Sequence, residues 1–517
     1  MNTLLDETRL SNVRKSFHWN QLWDLFDGNR DSLNIAHECV DRHSGEATAL
    51  RIKFADGHSE QYSFETLSAV SSQFANCLRS RGIGEGDRVA IMLEPGLPFY
   101  ACLFGTIKSG AIAVPLFTLF GADGLALRID DCEPNLLVCE SGQRELQRQF
   151  PKISVITADS GFLQEMSCFD TEFSPQTRSD DLCVYQYTSG TTRALPEAIK
   201  HTHRSVVTLM IAALYGVGLR PGDRFFCPSS PAWGHGLWHG TIAPMALGIG
   251  AGSYAGKFDP DCILQALAEF QIDNLAAAPT VYRMIRNSGL AANYDIKLDK
   301  LSFTGEPLDS STADFIRQTW NVEPCSMFGT TEVGVVLVNY PGFEDFFPKP
   351  GSLGTPAPGW ELSVIDDDDH EMPAGQVGEI AVKRNDRWFR VKDRGYVDQD
   401  GYFFHRGRSD DVIISAGWTM SAIEIEDCLL RHSAVREAAV IGVPNQLRGQ
   451  IVKAFLVTDA GGRAFEQELQ EFMKDRLSKH EYPREIEVVT QLPKTSAGKT
   501  DRRTLRQQEK ERRNQNL

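Results

Sequence analysis

The sequence lacks paired cysteines, long apolar runs and an excess of basic charge, and each shortage removes a class of protein. Its eleven cysteines form no CxxC pair, and the closest spacing, Cys132 and Cys139, fits no zinc or redox motif. Reduced, mostly buried thiols in a cytoplasmic protein are therefore expected. The longest apolar stretch, Gly110 to Ala122, contains Pro115 and falls short of the roughly 20 residues that span a bilayer, so no membrane span is expected. The opening residues, MNTLLDETRLSNVRK, carry acids where a secretory leader has its apolar core, which argues against export. Lysine and arginine number 53 against 69 aspartates and glutamates, a net charge of −16. Such a field repels phosphate backbones and anionic lipid, so no nucleic-acid partner is expected. An anionic ligand must be held by a local device instead, such as a glycine-rich turn, a helix N-terminus or a metal ion.

What is present is an ordinary globular composition, 42 % hydrophobic and 24 % charged over 517 residues, long enough for two to four domains at about 100–200 residues each. Arg88–Leu93 is an apolar run, Leu97–Ser109 has apolar residues at helical spacing, and Ala111–Leu116 is a second run, together a βαβ unit. Strand-length runs recur at Asn135–Cys139, Ile153–Ile156, Leu182–Tyr187 and Leu275–Ala278. The pattern predicts an α/β fold, with a large N-terminal α/β body of several subdomains whose parallel sheet is covered by helices. After about Gly351 come short strands, Glu361–Ile365 and Val377–Val382, around the acidic turn Asp366–Asp369, which reads as a β-rich subdomain. From Asp410 onward a helix (Ser421–His432), two strands (Ala438–Val443, Ile451–Val457) and a helix (Glu466–Lys479) suffice for a small α+β C-terminal lid. The boundary is placed at Arg408–Asp411, giving an N-terminal domain over 1–408, a hinge at 409–411 and a lid over 412–517. Gln507–Leu517, polar and mixed in charge, reads as a solvated tail.

The stretch richest in chemistry is Thr188-Ser189-Gly190-Thr191-Thr192, which follows the Leu182–Tyr187 strand and precedes a helix expected near Arg204. Hydroxyls and exposed N–H groups gathered in one turn can wrap phosphate oxygens, and the glycine lets the backbone come close. A P-loop NTPase would carry Gly-Lys-Ser/Thr five residues past Gly190, where Leu195-Pro196-Glu197 stand instead. Two further small-residue turns follow strand-like segments, Gly305-Glu306-Pro307 and Phe328-Gly329-Thr330-Thr331-Glu332. Strand ends of this kind are where open α/β sheets bind ligands. Asp393, Arg408 and the segment Pro493–Lys499 complete the set. His201 and His203 alternate about Thr202, and His235 and His239 lack the glutamate of a zinc hydrolase, so neither pair reads as a metal site. Asp366–Asp369 lacks calcium-loop spacing and reads as a hydrated hairpin turn.

In order and over essentially the whole chain, these motifs resemble the adenylate-forming superfamily of acyl- and aryl-CoA synthetases, most closely its acetyl-CoA synthetase and medium-chain side. The resemblance implies an ATP-dependent acid–CoA ligase that forms acyl-AMP and pyrophosphate and then acyl-CoA, with ATP, Mg²⁺ and coenzyme A as its small-molecule partners. By resemblance, Thr188 to Thr192 hold the β- and γ-phosphates, and Gly305, Glu306 and Pro307 flank the adenine, with Phe328, Gly329 and Thr330 in the same nucleotide site. Thr331 touches the α-phosphate and Glu332 holds Mg²⁺. Asp393 takes the ribose hydroxyls, Arg408 completes the ribose and phosphate contacts, and Lys499 on the mobile lid bridges the carboxylate and the α-phosphate. Gly417 and Trp418 line the channel for CoA, and Asp410 matches the hinge position.

The family's phosphate loop continues Gly-x-Pro-Lys, whereas Arg193-Ala194-Leu195-Pro196-Glu197 stand here, leaving Arg193 or Lys200 to supply the cation. Its Thr-Gly-Asp appears here as Val391-Lys392-Asp393. These departures keep a non-catalytic nucleotide-binding relative as the alternative, beside an adenylating enzyme with an acceptor other than CoA. The acyl pocket falls on Pro231–Gly240, with Trp233, Gly236 and His239 as lining residues. Three glycines beside two tryptophans suggest room for a flat group, hence an aromatic or medium-length acid. A homodimer is left open.

Overall fold

The computed structural model describes residues 4–43, 45–120, 122–140, 150–187, 197–330, 332–408, 412–415, 418–445, 449–474, 476, 482–495 and 498–515. Contacts divide the chain into two units, Met1–Ala277 with Leu290–Ser302 and Tyr340–Phe346, and Ala278–Gly289 with Phe303–Asn339 and Phe347–Leu517.

In the first unit β1 (Thr48–Phe54) and β2 (Ser59–Ser63) form an antiparallel pair. The Ser63 hydroxyl then accepts the Thr66 N–H at 3.1 Å and caps α1 (Phe64–Ser80). Five apolar runs make the parallel layer: β3 (Arg88–Met92), β4 (Ile112–Pro115), β5 (Leu136–Cys139), β6 (Ser154–Thr157) and β7 (Leu182–Gln186). Their order is β6-β5-β3-β4-β7, and β8 (Ile199–Thr202) adds antiparallel beside β7. The sequence places no strand there, because Ile-Lys-His-Thr is short and half polar. The helix expected near Arg204 is α3 (Ser205–Ile211).

Crossing from β3 to β4, α2 (Leu97–Lys108) is buried on nearly every side, which its almost wholly apolar sequence requires. Its one charge, Lys108, is fully buried and meets Asp41 at 2.6 Å and the Ser72 hydroxyl at 2.9 Å. Burial pushes the ammonium's pKa down and the Asp41 carboxylate counters it. Beyond α3, β9 (Phe225–Phe226) lies parallel to β11 (Asn274–Ala277), and β10 (Ala251–Ala255) runs parallel to β1. Between β9 and β10 the chain makes a π-helical segment, His235–Ile242.

The second unit begins with α4 (Pro279–Ser288). After β12 (Lys300–Phe303) and a short loop comes α5 (Ser310–Trp320), capped by Asp309, whose carboxylate accepts the Thr312 N–H at 2.9 Å. β13 (Pro324–Thr330), β14 (Gly334–Val338) and β15 (Thr355–Pro356) pair antiparallel. So do β16 (Leu362–Ile365), β17 (Gly378–Arg384), β18 (Arg387–Val397) and β19 (Phe403–Arg408), the expected β-rich part. The last sheet holds β20 (Val412–Ser415), β21 (Trp418–Ser421), β22 (Glu437–Asn445), β23 (Gly449–Val457) and β24 (Glu485–Val488). On one face α6 (Ala422–Leu430) and α7 (Arg463–Lys474) bury Ile425, Leu429, Leu469 and Met473 against Val440, Val452 and Leu456.

On the other face lies α8 (Arg502–Gln515), which corrects the expectation of a solvated tail. Leu505 is buried with Ile441 and Phe455, and Glu509, itself buried, accepts from Lys453 Nζ at 2.8 Å and Arg513 Nε at 2.7 Å. All eleven cysteines are free thiols, ten of them buried, and no described helix is long and apolar enough to cross a membrane.

Candidate active site

Three expected site segments come together in the second unit around Asp393. This aspartate lies in β18, only 7 % exposed, directly across the β18–β19 ladder from Arg408. His405 on β19 brings Nε2 to 2.8 Å from Asp393 Oδ1, and the ring of Phe328 lies 6.1 Å from the His405 ring. The preceding residue, Lys392, has φ +64°, a left-handed conformation in which a Cβ is costly. Phe328, Gly329 and Thr330 close β13, and the buried Thr330 hydroxyl oxygen has no hydrogen-bond partner among the described residues. Glu332 is exposed just past the strand, its carbonyl accepting from Arg384 Nη2 at 2.9 Å. Thr331 lies outside the described residues.

The turn Gly305–Pro307 follows β12, with Gly305 at φ +97°, where glycine avoids the steric cost of a side chain. Glu306 accepts from the Thr280 hydroxyl at 2.5 Å and lies 4.0 Å from Arg283, which reaches Asp309 at 3.2 Å. Burial works against the Arg283 charge, but Glu306 and Asp309 outweigh it and raise the guanidinium's pKa. A buried ion network thus fixes the turn to α4 and the start of α5. Lys499 is half-buried in a tight turn where its carbonyl accepts from the Thr495 N–H at 2.7 Å. The side chains of Arg408 and Trp418, and Asp410 and Gly417 entirely, lie outside the described residues.

In the first unit Thr188, Ser189, Gly190, Thr191, Thr192 and Arg193 lie outside the described residues, but the ends of their loop are placed. The loop joins β7 to the antiparallel β8, so it is a hairpin connection and not a strand-to-helix turn. Tyr187, at its start, donates to Asp131 at 2.7 Å. Lys200 holds its ammonium 5.1 Å over the Tyr185 ring. It lines a cleft of about 520 Å³ that extends to Arg88, Ile112 and Leu182 at the amino ends of β3, β4 and β7.

The Trp233–His239 segment corrects the reading of its glycines. A Cβ on Gly236 would come 2.2 Å from the Ser230 carbonyl, and one on Gly240 would come 2.9 Å from Cys227 Sγ. At Gly236 and Gly240 the absent side chains serve close packing of the π-helical turn. What the segment presents instead is aromatic and polar. Trp238 donates its indole N–H to Gln186 Oε1 at 2.9 Å and packs against the His201 ring at 4.6 Å. His235 lies 5.4 Å from the Trp233 ring and 5.7 Å from His239. Burial pushes the His239 pKa down to about 4.

Sequence reasoning missed Gln186 and His405. Each had a local signal: Gln186 stands two residues before the hydroxyl-rich loop, and His405 stands on the strand that pairs with Asp393.

A family model described as AMP-binding enzyme matches residues 37–387, and one described as AMP-binding enzyme C-terminal domain matches residues 424–499. The chain belongs to the AMP-binding enzyme family. It is 30 % identical to the acetyl-coenzyme A synthetase of Bacillus subtilis (strain 168), over 92 % of this chain and 90 % of that protein. It is 28 % identical to the mitochondrial acyl-coenzyme A synthetase ACSM3 of Rattus norvegicus, over 92 % and 90 %. Among solved structures it resembles the anthranilate CoA ligase AuaEII in complex with anthranoyl-AMP, with a TM-score of 0.83 and 27 % identity, covering 93 % of this chain and 98 % of that one.

Proposed function

We propose that this chain is an AMP-forming acid–CoA ligase. A carboxylate oxygen attacks the α-phosphorus of ATP, pyrophosphate leaves, and the thiolate of CoA then attacks the acyl carbon and expels AMP. The observation that carries the reading is the buried Asp393, held by His405 and facing Arg408 across the ladder beside Phe328. A carboxylate fixed in this way suits acceptance of two vicinal hydroxyls, as ribose offers. The Thr330 hydroxyl, without a partner among the described residues, fits a ligand oxygen. The exposed Glu332 suits a Mg²⁺ ion, which takes one or two carboxylates and completes its shell with phosphate oxygens and water. When bound, that ion neutralises phosphate charge.

The remaining roles follow the family pattern. Thr188 to Thr192 cradle the terminal phosphates, Gly305 to Pro307 flank adenine, and Thr331 meets the α-phosphate. Lys499 offsets the repulsion between two anions as they approach, the kind of contact worth most in the transition state. Gly417 and Trp418 guide the CoA arm, and the lid over 412–517 turns on the body over 1–408 at Asp410. Of the two candidates for the loop cation, Arg193 is the better, because the Lys200 ammonium already lies over the Tyr185 ring and lines the cleft.

An aromatic or medium-length acid is the substrate class, supported by Trp233, Trp238 and His201 around the acyl segment and by the resemblance to an anthranilate ligase. Free thiols fit work in the cytoplasm. Pyrophosphate release with ATP and Mg²⁺ over a panel of carboxylic acids, with and without CoA, tests the assignment. Acid-dependent release, with turnover sustained only when CoA is present, is expected. ATP binding without release for any acid would show a non-catalytic relative.

A further inference from the structure

Gln186 is the last residue of β7, at the carboxyl edge of the parallel sheet, two residues before the hydroxyl-rich loop. Only 3 % of it is exposed. Its orientation is fixed by chemistry: the indole of Trp238 is a donor only, so the atom it meets at 2.9 Å is the amide oxygen. The amide nitrogen, with two N–H donors, is turned away from Trp238. It is buried and has no acceptor among the described residues. A Cβ on Gly234 would lie 3.3 Å from the same amide oxygen, which seats Gln186 beside the Trp233–Gly234 segment. One turn further on, the buried Nδ1 of His239 also has no partner among the described residues, and burial keeps that imidazole neutral, with a pKa down to about 4. Trp238 packs between Gln186 and His201.

A buried donor without an acceptor costs about 1–3 kcal/mol, and sites retain such groups where a ligand completes them. We infer that Gln186 and His239 form a polar subsite of the acyl pocket, and that the acid this enzyme takes carries an uncharged oxygen substituent, a hydroxyl or ether, beyond its carboxylate. The inference rests on the acid–CoA ligase reading and narrows it. A hydroxyl suits either group, since it can accept from the amide N–H or donate to a bare imidazole nitrogen. A parent acid without the oxygen leaves the amide unpaired, which is the situation in which a site discriminates most strongly.

The test compares matched acids: benzoate with 2-, 3- and 4-hydroxybenzoate and their methoxy counterparts, and hexanoate with its hydroxylated forms. The expected wild-type result is a kcat/KM at least about tenfold higher for one hydroxylated member than for its parent. Gln186→Leu should bring that ratio to near one. Gln186→Glu retains an acceptor for Trp238 but has no N–H to offer, so it should abolish the matching preference for the methoxy acids, whose ether oxygen can only accept. If Gln186 only props up Trp238, Gln186→Glu leaves that preference intact, and that result overturns the inference. A wild-type preference for the unsubstituted acids in both series overturns it too. Calorimetric binding of the same acids with AMP reads the subsite without turnover. Selective binding of the methoxy acids that Gln186→Glu removes, in a protein releasing no pyrophosphate, would sink the ligase reading and keep the subsite.

Discussion

Asp393 is held from two directions, by a left-handed residue before it and by an imidazole on the neighbouring strand. His405→Phe keeps the ring but removes the 2.8 Å contact, leaving one carboxylate oxygen without its partner. A hydrogen bond to a charged group contributes about 1.5–3 kcal/mol, so KM for ATP should rise about tenfold or more while kcat changes less. His405→Gln, which can still donate an amide N–H, should recover much of the loss, and discrimination against 2′-deoxy-ATP should fall in the phenylalanine variant alone. Unchanged KM in His405→Phe would show that the histidine does not serve the ribose site. Lys392 at φ +64° raises a separate expectation. Glycine inside a strand normally costs stability, but here Lys392→Gly should be neutral or raise the melting temperature, because the left-handed strain, about 1 kcal/mol, is removed. A fall of several degrees would contradict that.

Among the elements, the β7–β8 hairpin gathers the most testable chemistry. Arg193→Ala should raise KM for ATP several-fold, and Lys200→Ala should leave it within about twofold. The reverse order would place the loop cation on β8. On β8, just past it and in the π-helical turn stand His201, His203 and His239, each pushed by burial to a pKa of about 4. Unfolding restores an ordinary value near 6.5, so the unfolded chain binds more protons between those limits. Stability should therefore be full above about pH 6.5, fall as the pH drops towards 4, and level off below. Denaturant unfolding at pH 7.5 and 5.5 checks the sign, and equal stability at both would show these imidazoles protonate freely in the fold.

The strands that sequence predicted, such as Arg88–Leu93 and Ile451–Val457, are apolar runs buried on both faces, where pattern is strongest. Missed elements are those whose pattern is diluted: β8 with Lys200 and His201, β18 with its three arginines and lysine, and α8, in which Leu505 is the buried apolar anchor. Of the candidate site, the hydroxyl loop and the Asp393 segment stand out in the sequence as contiguous motifs. Gln186 and His405 were not, because their meaning comes from pairing across strands.

For the molecule as a whole, the account places Lys499 and the Gly417–Trp418 segment in one lid and assigns them to different half-reactions. Asp410→Pro fixes φ near −65° and also restricts Ser409, so it should impede the rotation between them. Acyl-AMP formation should stay near normal while thioester synthesis slows at least about tenfold, roughly 1.4 kcal/mol of barrier. Lys499→Ala should do the opposite, lowering acyl-AMP formation by orders of magnitude while thioester formation from supplied acyl-AMP survives. Equal loss in both half-reactions for either variant would end the division of labour. The most direct measurement is a two-stage rapid quench on the wild-type chain, with labelled ATP, Mg²⁺ and the best acid mixed first and CoA added second. The account predicts acid-dependent acyl-AMP and pyrophosphate, near one equivalent per chain, before CoA arrives, followed by conversion to acyl-CoA and AMP. Formation of ADP, release of pyrophosphate without acid, or an acyl-AMP that CoA does not discharge would contradict it.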